Sequence, residues 1–420
     1  MARIVMKFGG TSVANVERIR QAARHVKREV EAGHEVAVVV SAMAGKTNEL
    51  VGWCTEASPM HDAREYDAVV ASGEQVTAGL MAIVLSDMGV QSRSYAGWQV
   101  PIRTDDSHGS ARITDVDPKN LDERMSSGWV PVVTGFQGIS DKNRITTLGR
   151  GGSDTSAVAV AAAVKADRCD IYTDVDGVYT TDPRIAPRAK RLERVSFEEM
   201  LEMASLGAKV LQTRSVELAM AQGVRLVVRS SFEDPNAGDA PGSEWGQTGT
   251  LVCDEEEIME KQIVSGVTLA RAEAKITLRK VKDKPGVAAS VFGPLADARI
   301  VVDMIVQNIS DDGQITDITF TVPDSEFDKA MKVLKSAPDL EYESISGSKG
   351  GAKISVIGVG MRSHAGVAAS MFRALSDKGI NIQLITTSEI KTSVLIDEEY
   401  AELAVRALHT YYGLDKADAQ

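Results

Sequence analysis

Residues 36–40 read VAVVV, apolar on every side and bounded by Glu35 and Ser41. A strand with one wet face alternates polar and apolar residues; an unbroken run like this suits a parallel strand buried on both faces. Working outward, "RIVMKF" (3–8) is a second such run, stopped by Gly9 and Gly10. Between the two, Ile19, Ala22, Ala23, Val26 and Val30 recur at helical spacing until Gly33. Strand, helix, strand in that order implies an α/β fold: an open, mainly parallel sheet flanked by helices. "VPVVTGF" (130–136), "CDIYTD" (169–174) and "VRLVVRS" (224–230) read as further strands. The alanine-rich 157–166 and "SFEEMLEMASLGAKVLQ" (196–212) read as helices.

The chain has 420 residues, enough for two or three domains with proper cores. A net charge of −12 and 5% aromatic residues argue against a nucleic-acid binder, so an anionic ligand must meet a local cluster of Lys and Arg. Cys54, Cys169 and Cys253 show no paired spacing and point to a reducing compartment. No signal-like segment and no run of about 18 apolar residues is evident. A cytoplasmic protein without a membrane partner is the expectation.

Near 233–257 the sequence turns Gly/Pro-rich and then acidic, which marks a domain boundary. Beyond it lies a repeat: "DKPGVAASVFGPLADARIVVDMIVQN" from Asp283 aligns with "SHAGVAASMFRALSDKGINIQLITTS" from Ser363, with GVAAS identical. A unit of this length suits a duplicated small α/β domain.

The stretch "TTLGRGGSD" (146–154) has the glycines of a phosphate cradle but fits neither common nucleotide fingerprint. No Lys follows the glycines, and Asp154 stands where a dinucleotide loop needs its third glycine. "SAMAGKTNEL" (41–50) ends like a P-loop, but Val40 occupies the position of its first glycine. "DVDGVYTTDPRI" resembles a calcium loop, except that its glycine comes early and Ile185 replaces the bidentate Glu. The six histidines have no ligand spacing, and no nucleophile elbow occurs. What remains is Lys7 at a strand end followed by Gly9 and Gly10, Glu74 in "ASGEQ", Arg150 and Asp154 in "GRGGSD", and Lys209 after a glycine. Ligands bind at the carboxyl ends of parallel strands, where glycine N–H groups can approach phosphate oxygens.

Taken together, "MKFGGTSV", "VVVSAMAGKTNEL", "ASGEQ", "TTLGRGGSDTSAVA", "IYTDVDGVYTTDPR" and "SFEEMLEMASLGAKVL" resemble the aspartokinases in order, wording and spacing. The tandem repeat resembles their paired ACT domains. The resemblance implies an amino-acid-kinase (acetylglutamate kinase-like) domain over 1–250 and a linker over 251–264. Two ferredoxin-like βαββαβ ACT domains would follow, at 265–345 and 346–420, the second completed by the strand at 263–269. It implies transfer of phosphate from ATP, with Mg2+ held mainly by the ATP phosphates, to the side-chain carboxylate of L-aspartate. This would be the first step towards lysine, threonine, methionine and diaminopimelate. A carboxylate of pKa ~3.9 is already ionised at neutral pH and needs no general base, consistent with the missing catalytic histidine.

By the same resemblance, Lys7, Asp154 and Lys209 are catalytic. Ser41, Thr47, Glu74, Arg150, Gly151, Gly152 and Ser153 hold the amino acid, Arg150 forking onto a carboxylate and Glu74 taking the ammonium. Lys7, Phe8, Gly9, Gly10, Thr173, Asp174, Tyr179, Arg184, Lys209 and Val210 hold the nucleotide. Lysine, threonine or both would bind the ACT pair at Asp283, Lys284, Pro285, Gly286, Val287, Ala288, Asp303, Gln307, Asn308, Asn381, Ile382, Ser388 and Glu389. The pair would also assemble a homo-oligomer, with or without a shorter regulatory chain starting near Met259. Acetylglutamate kinase, glutamate 5-kinase and a non-catalytic ACT metabolite sensor are the alternatives.

Overall fold

The computed structural model describes residues 1–206, 210–235, 249–258, 263–310, 313–338 and 340–416. Lys209 and Met259 lie outside them. The described residues fall into two compact units. One holds Met1–Val178, Arg191–Ala204 and Lys209–Met259; the other holds Tyr179–Lys190, Ser205–Ala208 and Glu260–Gln420. The expected domain over 1–250 differs from this division in that Tyr179–Lys190 groups with the second unit.

In the first unit, strands β1 (Arg3–Phe8), β2 (Glu35–Val40), β3 (Ser92–Tyr95), β4 (Ile102–Thr104), β5 (Ile113–Val116), β6 (Val130–Thr134), β7 (Gln137–Ser140), β8 (Ile145–Thr147), β9 (Arg168–Thr173), β10 (Arg194–Ser196), β11 (Leu226–Ser230) and β12 (Thr250–Cys253) make two sheets. The larger runs β10-β12-β11-β9-β1-β2-β6-β3, and the smaller runs β5-β4-β7-β8. Every pairing in the larger sheet is parallel except β11 with β12. The sheet therefore reaches past residue 250: Thr250–Cys253 is a fully buried strand where the sequence suggested the start of a linker. The turn-rich composition around it hid four residues with much to bury.

Helices α1 (Val16–Glu31), α2 (Lys46–Ala57), α3 (Ala63–Val70), α4 (Ser72–Asp87), α5 (Lys119–Ser126), α6 (Gly152–Ala163), α7 (Phe197–Ser205) and α8 (Thr213–Gln222) complete the unit. The Asn15 side chain caps α1 at the Arg18 N–H, and Ile19, Ala22, Ala23 and Val26 bury its inner face against β1 and β2. α6 starts at Gly152, earlier than its alanine run suggests, so Gly152, Ser153 and Asp154 form its first turn. The segment Ala63–Asp87 passes for a membrane span by length and apolar composition, but 56% of it is buried, as in a core helix of a globular protein.

Beneath α1 lies a buried ionic network. Arg168 donates to Asp170 at 3.0 Å and to Glu29 at 3.2 Å, and Arg229 approaches Asp170 at 3.4 Å. Asp170 is fully buried. Burying one such charge without partners would cost several kcal/mol, so the network ties β9 and β11 to α1.

The second unit contains β13 (Gly266–Lys282), α9 (Val287–Asp297), β14 (Asp303–Ile309), β15 (Ile315–Pro323), α10 (Phe327–Lys335), β16 (Ser344–Ile357), α11 (Val367–Ser376), β17 (Leu384–Thr387), β18 (Lys391–Asp397) and α12 (Ala401–Tyr411). Its single antiparallel sheet runs β14-β15-β13-β16-β18-β17. β13 serves both copies of the repeat. Val267 packs into the core under α11 and α12, while Ile276 and Leu278 pack under α9 and α10. The pairing register shifts between these halves, where Ala272 adopts φ 58°. Within this unit Thr180 Oγ1 lies 2.9 Å from His409 Nε2, and Arg188 pairs with Asp415 at 2.9 Å. Those contacts explain why Tyr179–Lys190 groups with the repeat.

Candidate active site

β1 lies between β2 and β9, with the chain departing to one side through β2 and returning on the other through β9. This reversal is a topological switch point, where the carboxyl ends of parallel strands leave a crevice. Lys7, Gly9, Ser41 and Thr173 stand at those ends. The Gly9 N–H donates to Tyr172 O at 3.1 Å and the Ser41 N–H to Phe8 O at 3.1 Å, which fixes the three strand exits relative to one another.

Lys7 is only 8% exposed and its ammonium lies 2.5 Å from Asp154 Oδ1. Asp154 occupies the first turn of α6, so the N-terminal end of a buried helix, the ammonium and the glycine N–H groups of 9 and 10 share one strand end. A helix N-terminus and a lysine favour anionic oxygens, and the carboxylate holds that lysine in place. Gly151 precedes α6 at φ +70°, and a Cβ there would lie 2.1 Å from Gln212 Cγ. Both facts require glycine. Arg150 beside it is exposed, with no protein partner for its guanidinium among the described residues.

Glu74, in the first turn of α4, is 3% exposed. Its Oε1 accepts from the Ala42 N–H at 3.0 Å, while Oε2 is buried without a partner. Burial pushes its carboxyl up to about 7, an effect the Ala42 N–H only partly offsets. Gly73 permits this approach, since a Cβ there would lie 2.8 Å from Ala42 Cβ. A buried carboxylate oxygen left open beside the strand ends is suited to a cation supplied by a ligand.

The other expected residues divide. Ser41 and Thr47 are half-buried after β2 and at the start of α2, Gly152 and Ser153 are buried in α6, and Asp174 is exposed after β9. Val210 is half-buried. The Phe8 ring is fully buried, stacked on Tyr172 at 4.8 Å, so only its backbone stands at the strand end. Tyr179 and Arg184 lie in the second unit, where Arg184 is exposed and pairs with Asp182 at 2.7 Å. Of the expected effector residues, Lys284, Pro285, Gly286, Ala288, Asp303, Gln307, Asn308, Asn381, Ser388 and Glu389 are exposed and Asp283 is half-buried. Val287 is buried and Ile382 packs on a core, so these two side chains serve packing.

Sequence reasoning missed Asp67 and His108. Asp67 is fully buried with His108 Nδ1 at 2.7 Å. A lone Asp in the apolar run "YDAVVA" (66–71) was the available signal.

Comparison with known proteins agrees with this geometry. Residues 2–230 match the amino acid kinase family, and residues 276–339 and 354–412 each match the ACT domain. These matches define the class: an amino acid kinase joined to a pair of ACT domains. An aspartate kinase of Pseudomonas putida is 53% identical, covering 99% of this chain and 98% of that protein. An aspartokinase of Corynebacterium glutamicum is 45% identical over 100% of this chain and 98% of its own length. Escherichia coli aspartokinase III, solved in complex with aspartate and ADP, is 29% identical with a TM-score of 0.76, covering 97% of this chain and 99% of that one. The chain belongs to the aspartokinase family.

Proposed function

We propose that this protein transfers the γ-phosphoryl group of ATP to the side-chain carboxylate of L-aspartate, giving 4-phospho-L-aspartate and ADP. The observation that carries the reading is the open Oε2 of buried Glu74, which is anchored on Ala42 just past the end of β2, the strand beside the one whose end carries the Lys7–Asp154 pair. An amino dicarboxylate brings one cation and two anions. Glu74 takes the ammonium, Arg150 forks onto the α-carboxylate, and the second carboxylate faces Lys7. Charge-assisted contacts of this kind contribute roughly 1.5–3 kcal/mol each. E. coli aspartokinase III, solved with aspartate and ADP, supports the choice of ligands.

The nucleophile arrives ionised, so the protein's task is to place it in line and compensate charge. Lys7, joined by Lys209, neutralises the oxygens of the transferring group; Gly10 donates its N–H, while the Gly9 N–H stays on Tyr172 O and holds the turn; Asp154 keeps Lys7 aimed. Among the described residues no group of three or more His, Cys, Asp or Glu could hold a metal by itself. Mg2+ would arrive with the ATP phosphates and supply further charge compensation, and Asp154 in the first turn of α6 and Asp174 after β9 are the carboxylates that would face it. Thr173 and Asp174 receive the nucleotide at the end of β9. We further propose feedback regulation by lysine, threonine or both at the ACT unit, in a cytoplasmic homo-oligomer. The E. coli relative solved with lysine and aspartate, 29% identical with a TM-score of 0.75, supports lysine.

ADP release measured with aspartate, glutamate and N-acetylglutamate, with and without lysine and threonine, tests both parts. Turnover restricted to aspartate is expected. Turnover with N-acetylglutamate alone would assign the chain to another amino acid kinase.

A further inference from the structure

Asp67 is a fully buried carboxylate with no Lys or Arg partner among the described residues. Its acceptor capacity is filled instead from one side. The Gly109 N–H lies 3.1 Å from Oδ1 and 3.2 Å from Oδ2, His108 Nδ1 is 2.7 Å from Oδ2, and Thr147 Oγ1 donates to Oδ1 at 2.5 Å. A buried anion satisfied so completely holds its donors firmly, because releasing any one leaves an unpaired charge in the core.

The elements it joins are the two that carry the amino-acid-binding charges. Asp67 stands on α3 seven residues before Glu74 (74 − 67), and α3 continues through Ala71, itself helical at φ −64° and ψ −16°, into α4. Seven residues is two helical turns, so both carboxylates lie on one face of nearly continuous helix. On the other side, Thr147 is the last residue of β8, three before Arg150. The chain between them is pinned again: the Leu148 N–H donates to Phe136 O at 2.9 Å, and Arg214 donates to Leu148 O at 2.8 Å and Ala111 O at 2.7 Å.

We propose that Asp67, through Thr147 and His108, is a positioning residue that sets the spacing between Glu74 and Arg150 and so makes the site selective for a four-carbon amino dicarboxylate. The inference rests on the reading that those two residues grip the substrate's α-ammonium and α-carboxylate. Aspartate and glutamate present identical groups there. With the grip fixed, the distance from the α-carbon to the phosphoryl group decides which side chain reaches in line, and one methylene too many misplaces the nucleophile. With the grip loosened, both KM for aspartate and the discrimination suffer.

The test uses the full chain and the near-isosteric Thr147→Val, which deletes one donor and keeps the volume, with Thr147→Ser as the conservative rescue and His108→Ala as an independent cut. Thr147→Val should raise KM for aspartate about tenfold, leave KM for ATP within about twofold, and lower the aspartate-to-glutamate ratio of kcat/KM. Thr147→Ser should restore most of the wild-type values, and His108→Ala should shift the same parameters in the same direction. Unchanged KM for aspartate in Thr147→Val and His108→Ala overturns the inference, as does a parallel rise of both KM values, which signals general loosening. If wild type itself does not phosphorylate aspartate, the functional reading fails first, and this inference with it.

Discussion

The strand-end site and the glycine turns of the repeat handle charge in opposite ways. Around β1 the charged groups are buried and committed: Lys7 to Asp154, Asp67 to His108 and Thr147, Glu74 to one N–H with its other oxygen open. In the repeat, the turns at Gly286 and Gly366 share sequence and backbone, with φ +94° and +99°, and most of the polar groups around them are exposed. A preorganised site pays its desolvation during folding and can discriminate by chemistry; an exposed turn acquires specificity only when something covers it. Substitutions should therefore be costly and distinct in the first region and mild in the second.

The largest effect is expected at Lys7. Lys7→Met removes the cation at the transferring group and leaves Asp154 uncompensated, and kcat should fall by about 10³ in a steady-state assay. A loss under tenfold would place the phosphoryl group elsewhere. Next comes Asp170→Ala, which removes the buried carboxylate that Arg168 and Arg229 share; urea unfolding should show a destabilisation of about 3–5 kcal/mol. Exposed Lys284→Ala in the first glycine turn should change stability by no more than about 0.5 kcal/mol. Comparable values for the two would erase the contrast.

Glu74 sharpens the comparison through pH. Its pKa in the free enzyme is raised by burial, so its charged form is the costly one: the group favours folding at low pH and loses that contribution as pH rises from its ordinary value towards about 7. An ammonium ligand needs the charged form. KM for aspartate should thus fall about tenfold per unit as pH rises towards 7 and level off above it. Glu74→Gln should raise KM at pH 8 by about tenfold to a hundredfold, with a smaller change in kcat, and abolish the break near 7. The smallest effect is expected for Gly286→Ala or Gly366→Ala, about 1 kcal/mol each from the left-handed backbone, with no change in KM for aspartate without effector.

Much of the first region was legible because its elements are continuous in sequence. VAVVV and RIVMKF announce buried parallel strands, and glycines within two positions of Lys7, Glu74 and Asp154 mark places where backbone must come close. What escaped was pairwise. Asp67 and His108 are 41 positions apart and each has its partner only after folding. Glu29, Arg168, Asp170 and Arg229 form one network from three elements, and Asp170 sits inside the apolar run that was read as an ordinary strand. β12 was missed for the opposite reason: four buried residues follow a turn-rich stretch whose composition outweighed them. The grouping of Tyr179–Lys190 with the repeat depends on contacts such as Thr180 with His409, which no local pattern encodes.

The central claim is that Glu74 and Arg150 orient aspartate so that its side-chain carboxylate, and not its α-carboxylate, meets ATP beside Lys7. Hydroxylamine trapping of the acyl phosphate, followed by identification of the hydroxamate, tests this directly. Wild type should give ATP-dependent aspartate β-hydroxamate, and Lys7→Met sharply less. The α-hydroxamate, or no aspartate hydroxamate from wild type, would contradict it.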